Sequence, residues 1–378
     1  MSASSINTKK LVFLLSTLLC VVVAVLYTLF SARTANLTVG NYAPASTVQS
    51  PLAAPSVSPS DHLPAQSQYE PQAPFVSPSD NSVAGSPDAR QGQIQAKPRL
   101  VALNVRDSAE RGTVELSTLD AVDGRRTATN LRCERIHFAS SKGICLSREI
   151  RLFSAQTVAT LVDADFQPLS SVRTDGIPTR ARISPDGRYA AFTVFVTGHS
   201  YGDSQMSTAT LLWEIDKGAT VANLEEFKVL QDGKVLDSPD FNYWGVTFQN
   251  DSNFFYATLR TGGVNYLVHG DIKVKTVTVM HKGVECPSLS ADETRIVFKK
   301  LISRNNWRLT VLDLTTYEET PLAETKSVDD QAEWLDNDHV LYALVDPAPW
   351  MSIMVVSADG SGQPNVFAKG AASPAVVR

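Results

Sequence analysis

The chain has 378 residues, of which 43% are hydrophobic and 19% are charged, and its formal net charge is −5. This length is enough for one large all-β domain or for two smaller domains with appendages. The acidic balance provides no positive field for a nucleic acid, and no run of Lys or Arg occurs outside the extreme N-terminus, so a nucleic-acid-binding function is not expected.

An uncharged apolar run, "LVFLLSTLLCVVVAVLYTLF", occupies residues 11–30 and is long enough for a helix to cross about 30 Å of hydrocarbon. Lys9 and Lys10 precede the run and only Arg33 follows closely, which predicts that residues 1–10 are cytoplasmic and that the remainder is exported. Two alternatives stay open. The run is either an uncleaved signal anchor in the cell membrane, which its length favours, or a signal peptide cleaved near "SARTA".

Residues 31–98 differ in composition from the rest of the chain. Ten of the twenty prolines lie between positions 43 and 98, among Ser, Ala and Gln, and "VSPSD" occurs twice. Such a segment cannot form a packed core, so a disordered linker is predicted. It separates the membrane segment from the remaining residues, 99–378.

The four cysteines fit an oxidising compartment outside the cytoplasm. Cys20 lies in the apolar run and is interpreted as a small apolar residue. Cys133 and Cys145 flank "ERIHFASSKGI", which is typical of two short strands around a turn, and this predicts a disulfide across a hairpin. A metal site needs further ligands at suitable spacing, and the sequence does not provide them. Cys286 is left over and is expected to be a buried free thiol.

A repeat dominates residues 99–378. "RARISPDGRYAAFTV" from Arg180 and "ECPSLSADETRIVFK" from Glu285 share a polar start, an apolar residue, a polar turn and an apolar strand. Weaker copies begin at positions 133, 242 and 331. The residues assigned to the position before each turn are Ile136, Ile183, Phe248, Leu289 and Trp334, so successive copies are 41 to 65 residues apart. This spacing is typical of propeller blades, each a meander of four strands.

Five complete copies leave apolar fragments at both ends of this region, "RLVALNV" and "GTVELSTLD" at the start and "SPAVV" at the end. Together they make a sixth blade, and closing a ring with strands from both ends removes an open sheet edge. The alternative is a five-bladed ring with two unpaired ends. The prediction is therefore an all-β, six-bladed β-propeller over residues 99–378, with four antiparallel strands in each blade.

The segments "ARISPDGRYAAF", "CPSLSADETRIVF" and "VLDLTT" resemble the WD40-like repeats of the TolB-type β-propellers, an extracytoplasmic six-bladed family. The chain is similar in particular to the membrane-anchored TolB-like proteins of actinobacteria. The resemblance implies a binding or scaffolding propeller that contacts its partner through the channel mouth and the loops. The full S-P-D-G turn occurs only at 184–187, and the N-terminal α/β domain of TolB has no counterpart, so TolB's role in outer-membrane maintenance is not carried over.

The pentapeptide "GHSYG", residues 198–202, matches the G-x-S-x-G pattern of a serine-hydrolase nucleophile elbow, in which Ser200 is the nucleophile. An elbow needs a helix after the turn, whereas "DSQMSTATLLWEID" is typical of a strand. The repeat places the pentapeptide in an exposed loop between the second and third strands of a blade. A chance match is therefore favoured and no catalytic residue is assigned. A fused prolyl-oligopeptidase-like domain also needs roughly 250 further residues.

Polar residues of the innermost strands are the candidate ligand-binding residues, because those strands line a propeller's channel. They are Glu134, Arg180, Arg182, Asn242, Glu285, Asp330, Gln331 and Glu333. Such a lining suits an envelope protein, a peptide or a small polar ligand, and it requires no cofactor. The alternative is that these charges pair with one another and hold the blades in register. The alternative function is a propeller hydrolase, lactonase-like or glycan-cleaving, with its site in the channel mouth.

Overall fold

The computed structural model describes residues 98–378 apart from residues 107, 121, 123–125, 152–153, 199, 202–204 and 346–350. The predicted cytoplasmic residues 1–10, the apolar segment 11–30 and all but the last residue of the linker 31–98 lie outside the described residues. In the portion that is described, no helix has the length and apolar character that a membrane crossing requires.

The described strands form six sheets, which are numbered as blades in chain order. Blade 1 contains β1 (Arg99–Asn104), β2 (Thr113–Thr118) and β3 (Thr127–Arg132). Blade 2 contains β4 (Arg135–Ala139), β5 (Lys142–Arg151), β6 (Ser154–Val162) and β7 (Pro168–Asp175). Blade 3 contains β8 (Ile177–Ile183), β9 (Tyr189–Thr197), β10 (Ser207–Glu214) and β11 (Ala219–Asn223), and a 3-10 turn (Leu224–Glu226) follows it.

Blade 4 contains β12 (Lys228–Gln231), β13 (Lys234–Leu236), β14 (Asn242–Phe248), β15 (Phe254–Thr261), β16 (Val264–Asp271) and β17 (Thr276–Lys282). Blade 5 contains β18 (Glu285–Leu289), β19 (Arg295–Ser303), β20 (Asn306–Asp313) and β21 (Glu319–Pro321). Blade 6 contains β22 (Glu333–Trp334), β23 (His339–Val345), β24 (Met351–Ser357) and β25 (Asn365–Lys369). The last strand, β26 (Ala371–Val377), returns to blade 1.

The predicted closure of the ring is confirmed. β26 is the innermost strand of blade 1 and pairs antiparallel with β1, with Arg99 opposite Val377 and Val101 opposite Ala375. Its apolar side chains are buried against both neighbouring blades, because Val376 packs in a cluster with Leu341 of blade 6 while Ala375 belongs to a cluster shared with blade 2. The six-bladed interpretation is therefore correct, and the five-bladed alternative is excluded.

The repeated turn has a simple local cause. After β8, the Asp186 carboxylate accepts hydrogen bonds from the Ser184 hydroxyl at 2.7 Å and from the Arg188 N–H at 2.9 Å. Gly187 takes a positive φ of 69°, which glycine adopts without steric cost. After β18, Asp292 accepts from Ser290 in the same way. The Ser-x-Asp pattern thus specifies the turn that returns the innermost strand to the second strand in blades 3 and 5.

Blade 4 departs from the predicted four strands. The segment between blades 3 and 4 adds the β12–β13 hairpin, whose turn at Asp232 and Gly233 has positive φ at both residues, as a two-residue hairpin turn requires. β12 pairs in parallel with β17, which extends the blade to six strands. This insertion accounts for the longest interval in the repeat.

The predicted disulfide between Cys133 and Cys145 is confirmed, with 5.4 Å between the two Cα atoms. Its position in the hairpin differs from the prediction, because Cys145 lies opposite Ile136 in the β4–β5 register and Cys133 precedes β4. The N–H of Cys133 donates to the Gly112 carbonyl of blade 1 at 2.8 Å. The disulfide therefore joins the connection from blade 1 to the second strand of blade 2. Cys286 is buried and free, as predicted.

Replacing both Cys133 and Cys145 with serine is expected to lower the free energy of unfolding by about 2–4 kcal/mol, because the bridge restricts the unfolded chain. Denaturant unfolding of the full chain in detergent measures the loss. Reductant should lower the midpoint of the wild type and leave that of the double variant unchanged. An identical wild-type midpoint with and without reductant contradicts a structural role for the bridge.

Candidate functional site

The C-terminal ends of the six innermost strands surround a cavity of about 440 Å³ at one end of the channel, called here the mouth. Each blade contributes a residue to its outer part, namely Ser140, Pro185, Asn250, Ala291, Trp334 and Arg378. The wall is apolar and includes Phe138, Ile183, Phe248 and Leu289. A concave site with an apolar wall and a few polar groups is the usual form of a binding site.

The floor of the mouth is a layer of side chains with one residue from each innermost strand. These residues are His137, Arg182, Thr247, Ser288, Glu333 and Val376. In the sequence each of these residues directly precedes an apolar residue near the end of its strand. The repeat was aligned on Ile136 in blade 2, but β4 extends to Ala139, so the equivalent residue is Phe138. Because the assigned position is two residues too early, the sequence does not predict His137 as a floor residue.

A buried ion pair connects opposite sides of the floor. The Arg182 guanidinium of β8 contacts the Glu333 carboxylate of β22, and it also donates to Ser288 Oγ of β18 at 3.2 Å. Glu333 Oε1 accepts from the Val376 N–H of β26 at 3.3 Å. Both side chains of the ion pair are about one-tenth exposed. The floor therefore joins strands from blades 1, 3, 5 and 6.

His137 of blade 2 lies beside this ion pair. Its Nδ1 accepts a hydrogen bond from the Ile183 N–H at 3.0 Å, and its Nε2 lies 2.9 Å from Arg182 Nη1 and 3.7 Å from the Glu333 carboxylate. Burial and the neighbouring Arg182 lower the pKa of His137, so the imidazole is neutral. Burial alone raises the pKa of Glu333, but Arg182 and His137 outweigh it and lower this pKa to about 2.

The other predicted ligand residues do not all reach the mouth. Glu134 pairs with Arg148, with both side chains more than one-third exposed, and Asn242 accepts the Thr208 N–H at 2.8 Å. Gln331 donates to the carbonyls of Val246 and Pro287. Of the eight predicted residues, Arg182 and Glu333 line the mouth. Arg182 and Glu333 pair with each other across the ring, whereas Glu134 pairs with Arg148 of its own blade.

Arg180 and Glu285 lie in a second cluster, toward the opposite end of the channel. The Arg180 guanidinium and the Lys299 ammonium share the Asp329 carboxylate, and Lys299 is fully buried. Glu285 accepts the Trp307 indole N–H at 3.1 Å, and burial raises the pKa of this carboxyl group. The sequence pattern did not single out Lys299 or Asp329, because neither lies on an innermost strand.

The loop that contains the G-x-S-x-G match lies between β9 and β10, as predicted, and a strand follows it from Ser207. The prediction of an exposed tip is wrong at Tyr201, which is buried. The Tyr201 hydroxyl lies 2.6 Å from Thr179 Oγ1, its ring stacks on Trp244, and Arg180 lies over the ring. The Tyr201 side chain therefore anchors the loop to the second cluster.

The fold matches solved propeller structures at low sequence identity. No protein-family model and no curated protein matches the chain. TolB from Acinetobacter baumannii aligns with a TM-score of 0.53 at 16% identity, covering 75% of this chain and 67% of that one. The chain has the fold of a TolB-type six-bladed propeller. A TolB structure from Agrobacterium tumefaciens aligns with a TM-score of 0.45 at 13% identity, covering 72% and 89% of the two chains.

A structure of an enzyme is also among the similar structures. A puromycin-hydrolyzing peptidase from Mycobacterium tuberculosis aligns with a TM-score of 0.43 at 12% identity, covering 68% of this chain and 42% of that one. A likeness of fold does not fix an activity.

The floor predicts how stability depends on pH. The pKa of Glu333 is about 2 in the folded chain and 4.5 without the fold, so its contribution of about 3 kcal/mol is complete above pH 4.5 and is lost as the pH falls toward 2. The lowered pKa of His137 adds a further loss of stability, which begins as the pH falls through 6.5. Denaturant unfolding between pH 7 and 3 measures both effects.

Glu333→Gln should flatten the acidic part of this profile, whereas Glu318→Gln, a change at an exposed carboxylate, should leave it unchanged. Equal pH profiles for the wild type and Glu333→Gln contradict the assignment.

Proposed function

We propose that this protein is a non-catalytic, extracytoplasmic β-propeller, anchored to the cell membrane by residues 11–30, that binds an envelope protein or peptide, or a small polar ligand, through the mouth. The observation that supports this proposal is the mouth itself, a cavity of about 440 Å³ to which all six blades contribute. Its apolar wall suits a partner's apolar side chain, while polar groups at the rim suit backbone amides.

The chemistry of the floor favours binding over catalysis. Glu333 accepts hydrogen bonds from Arg182 and from the main chain, and His137 Nδ1 accepts a backbone N–H. The lowered pKa values keep Glu333 charged and His137 neutral near pH 7. A general acid or base works best with a pKa near the operating pH and with free access to the reacting proton. These two groups instead serve as a rigid base for the cavity.

The rim supplies hydrogen-bonding groups of both kinds. Arg378, which follows β26 of blade 1, is exposed and donates to the carbonyls of Trp334 and Leu335. Asn250 is exposed in blade 4, on the opposite side of the ring. The Glu293 carboxylate accepts from Gln249 at 3.2 Å. An extended peptide presents alternating N–H and C=O groups, so it can use both donors and acceptors at such a rim.

The start of the propeller supports the proposed arrangement on the membrane. Arg99 pairs with Val377, which lies at the mouth, so the chain enters the propeller at its mouth face. A tether that joins at this face lets the mouth meet a partner held near the same membrane.

A photo-crosslinking amino acid at Ala291, an exposed residue of the mouth, tests the proposal in intact cells. The matched control is the same amino acid at Ser361, which is exposed in the turn after β24. Irradiation is expected to give a discrete adduct from position 291 and none from position 361. The reason is that a partner seated in the mouth contacts Ala291 alone.

A second variant, Ala291→Trp, fills part of the cavity and should reduce recovery of that partner at least tenfold. Adducts of equal yield from both positions contradict a mouth-specific partner. Hydrolytic turnover by the purified wild type that Ala291→Trp abolishes contradicts the non-catalytic part of the proposal.

A further inference from the structure

A small cavity lies inside the channel, between the floor of the mouth and the second cluster. It leaves about 20 Å³ of free space, which is enough for a single water-sized particle. Three guanidinium-bearing residues line it, Arg135 from β4 and Arg180 and Arg182 from β8. Asp330 is the carboxylate among its described lining residues. Three like charges around so small a space require a compensating negative charge.

The neighbouring carboxylates compensate these charges unequally. Arg182 has Glu333 as its partner, but Arg180 shares Asp329 with the buried Lys299. Arg135 forms no ion pair with a described carboxylate. It donates to the carbonyls of Thr179 at 2.7 Å and of Glu134 at 2.8 Å. Of the four cations along this stretch of the channel, Arg135, Arg180, Arg182 and Lys299, only Arg135 therefore lacks a described carboxylate at ion-pair distance.

The hydrogen bonds around the cavity also indicate that an acceptor is missing. The Nε–H of Arg182 is buried and has no partner among the described atoms, although the side chain is nine-tenths buried. Asp330 already accepts the Ala343 N–H at 3.0 Å through Oδ2. The guanidinium groups are donors only. The nitrogens of Arg180 have the partners Cys286, Thr179 and Asp329, so the Arg182 Nε–H is the buried donor in this lining that the described atoms leave without an acceptor.

We propose that this cavity binds a monatomic monovalent anion of the chloride class. A halide accepts hydrogen bonds from several directions and supplies the missing negative charge. A water molecule fits less well, because it accepts only two hydrogen bonds and must donate its own two protons, for which the cavity offers mainly Asp330. The bound anion links blade 2 to blade 3 at the centre of the ring.

Thermal unfolding of the detergent-solubilised full chain tests the site, with sodium chloride compared with sodium gluconate at equal ionic strength. At ten times the dissociation constant, chloride should raise the melting temperature by about 3 °C. Arg135→Gln should lose this chloride-dependent increment, because it removes the cation that has no carboxylate partner. Arg173→Gln, at an exposed arginine on β7, should keep it. A wild type without the increment, or an Arg135→Gln variant that retains it, overturns the proposal.

A crystallographic measurement on the wild type keeps the proposal testable even when Arg135→Gln does not fold. Crystals of the full chain grown in sodium bromide should show an anomalous difference peak between Arg135, Arg180 and Arg182. Density for an ordered water without anomalous signal at this position contradicts anion binding.

Discussion

The pairing of β26 with β1 is the constraint on which the other features depend. It places the last described strand inside the first blade, so the six innermost strands form a closed ring. Closure brings Val376 beside Glu333 and places Val377 beside Arg99. Without the pairing of β26 with β1, blades 1 and 6 would each expose an apolar face, and the mouth would be open on one side.

Closure also explains why so many charged groups lie inside the ring. Arg182 and Glu333 come from blades 3 and 6, which meet only across the channel. Compared with apolar residues of the same volume such a buried pair adds little stability, but removing one partner leaves an uncompensated charge. Its effect is specificity, because the pair forms only when blades 3 and 6 occupy their places in a six-bladed ring. The second cluster, with Lys299 and Asp329, acts in the same way at the other end.

The sequence was sufficient to predict the features that arise from local interactions. The alternation of strand and polar turn recurs in blades 2 to 6, so the blade count and the closing strand followed from the repeat. The pairing of Cys133 with Cys145 followed from their spacing. The β12–β13 hairpin has a favourable turn of its own, but its parallel pairing with β17 depends on a distant strand and has no local signal.

The site was less predictable, because its residues meet across the ring. Arg182 and Glu333 were identified since they share a position in the repeat, whereas His137 was missed through a two-residue error at Ile136. Tyr201 shows the opposite problem. Its glycine-flanked surroundings indicate an exposed loop, yet stacking on Trp244 and the contact with Arg180 bury the ring. Tertiary packing overrides local composition at such a position.

Amide hydrogen exchange of the full chain in detergent, resolved at β26 and β1, tests the closed ring most directly. Strands that complete a closed ring exchange only through global unfolding. The amides of Val101, Ala375 and Val377 are therefore expected to be as strongly protected as those of Ala257 and Leu259 in the centre of blade 4. Fast exchange in β26, as in a frayed terminus, with full protection in blade 4 would contradict closure by this strand and the mouth that depends on it.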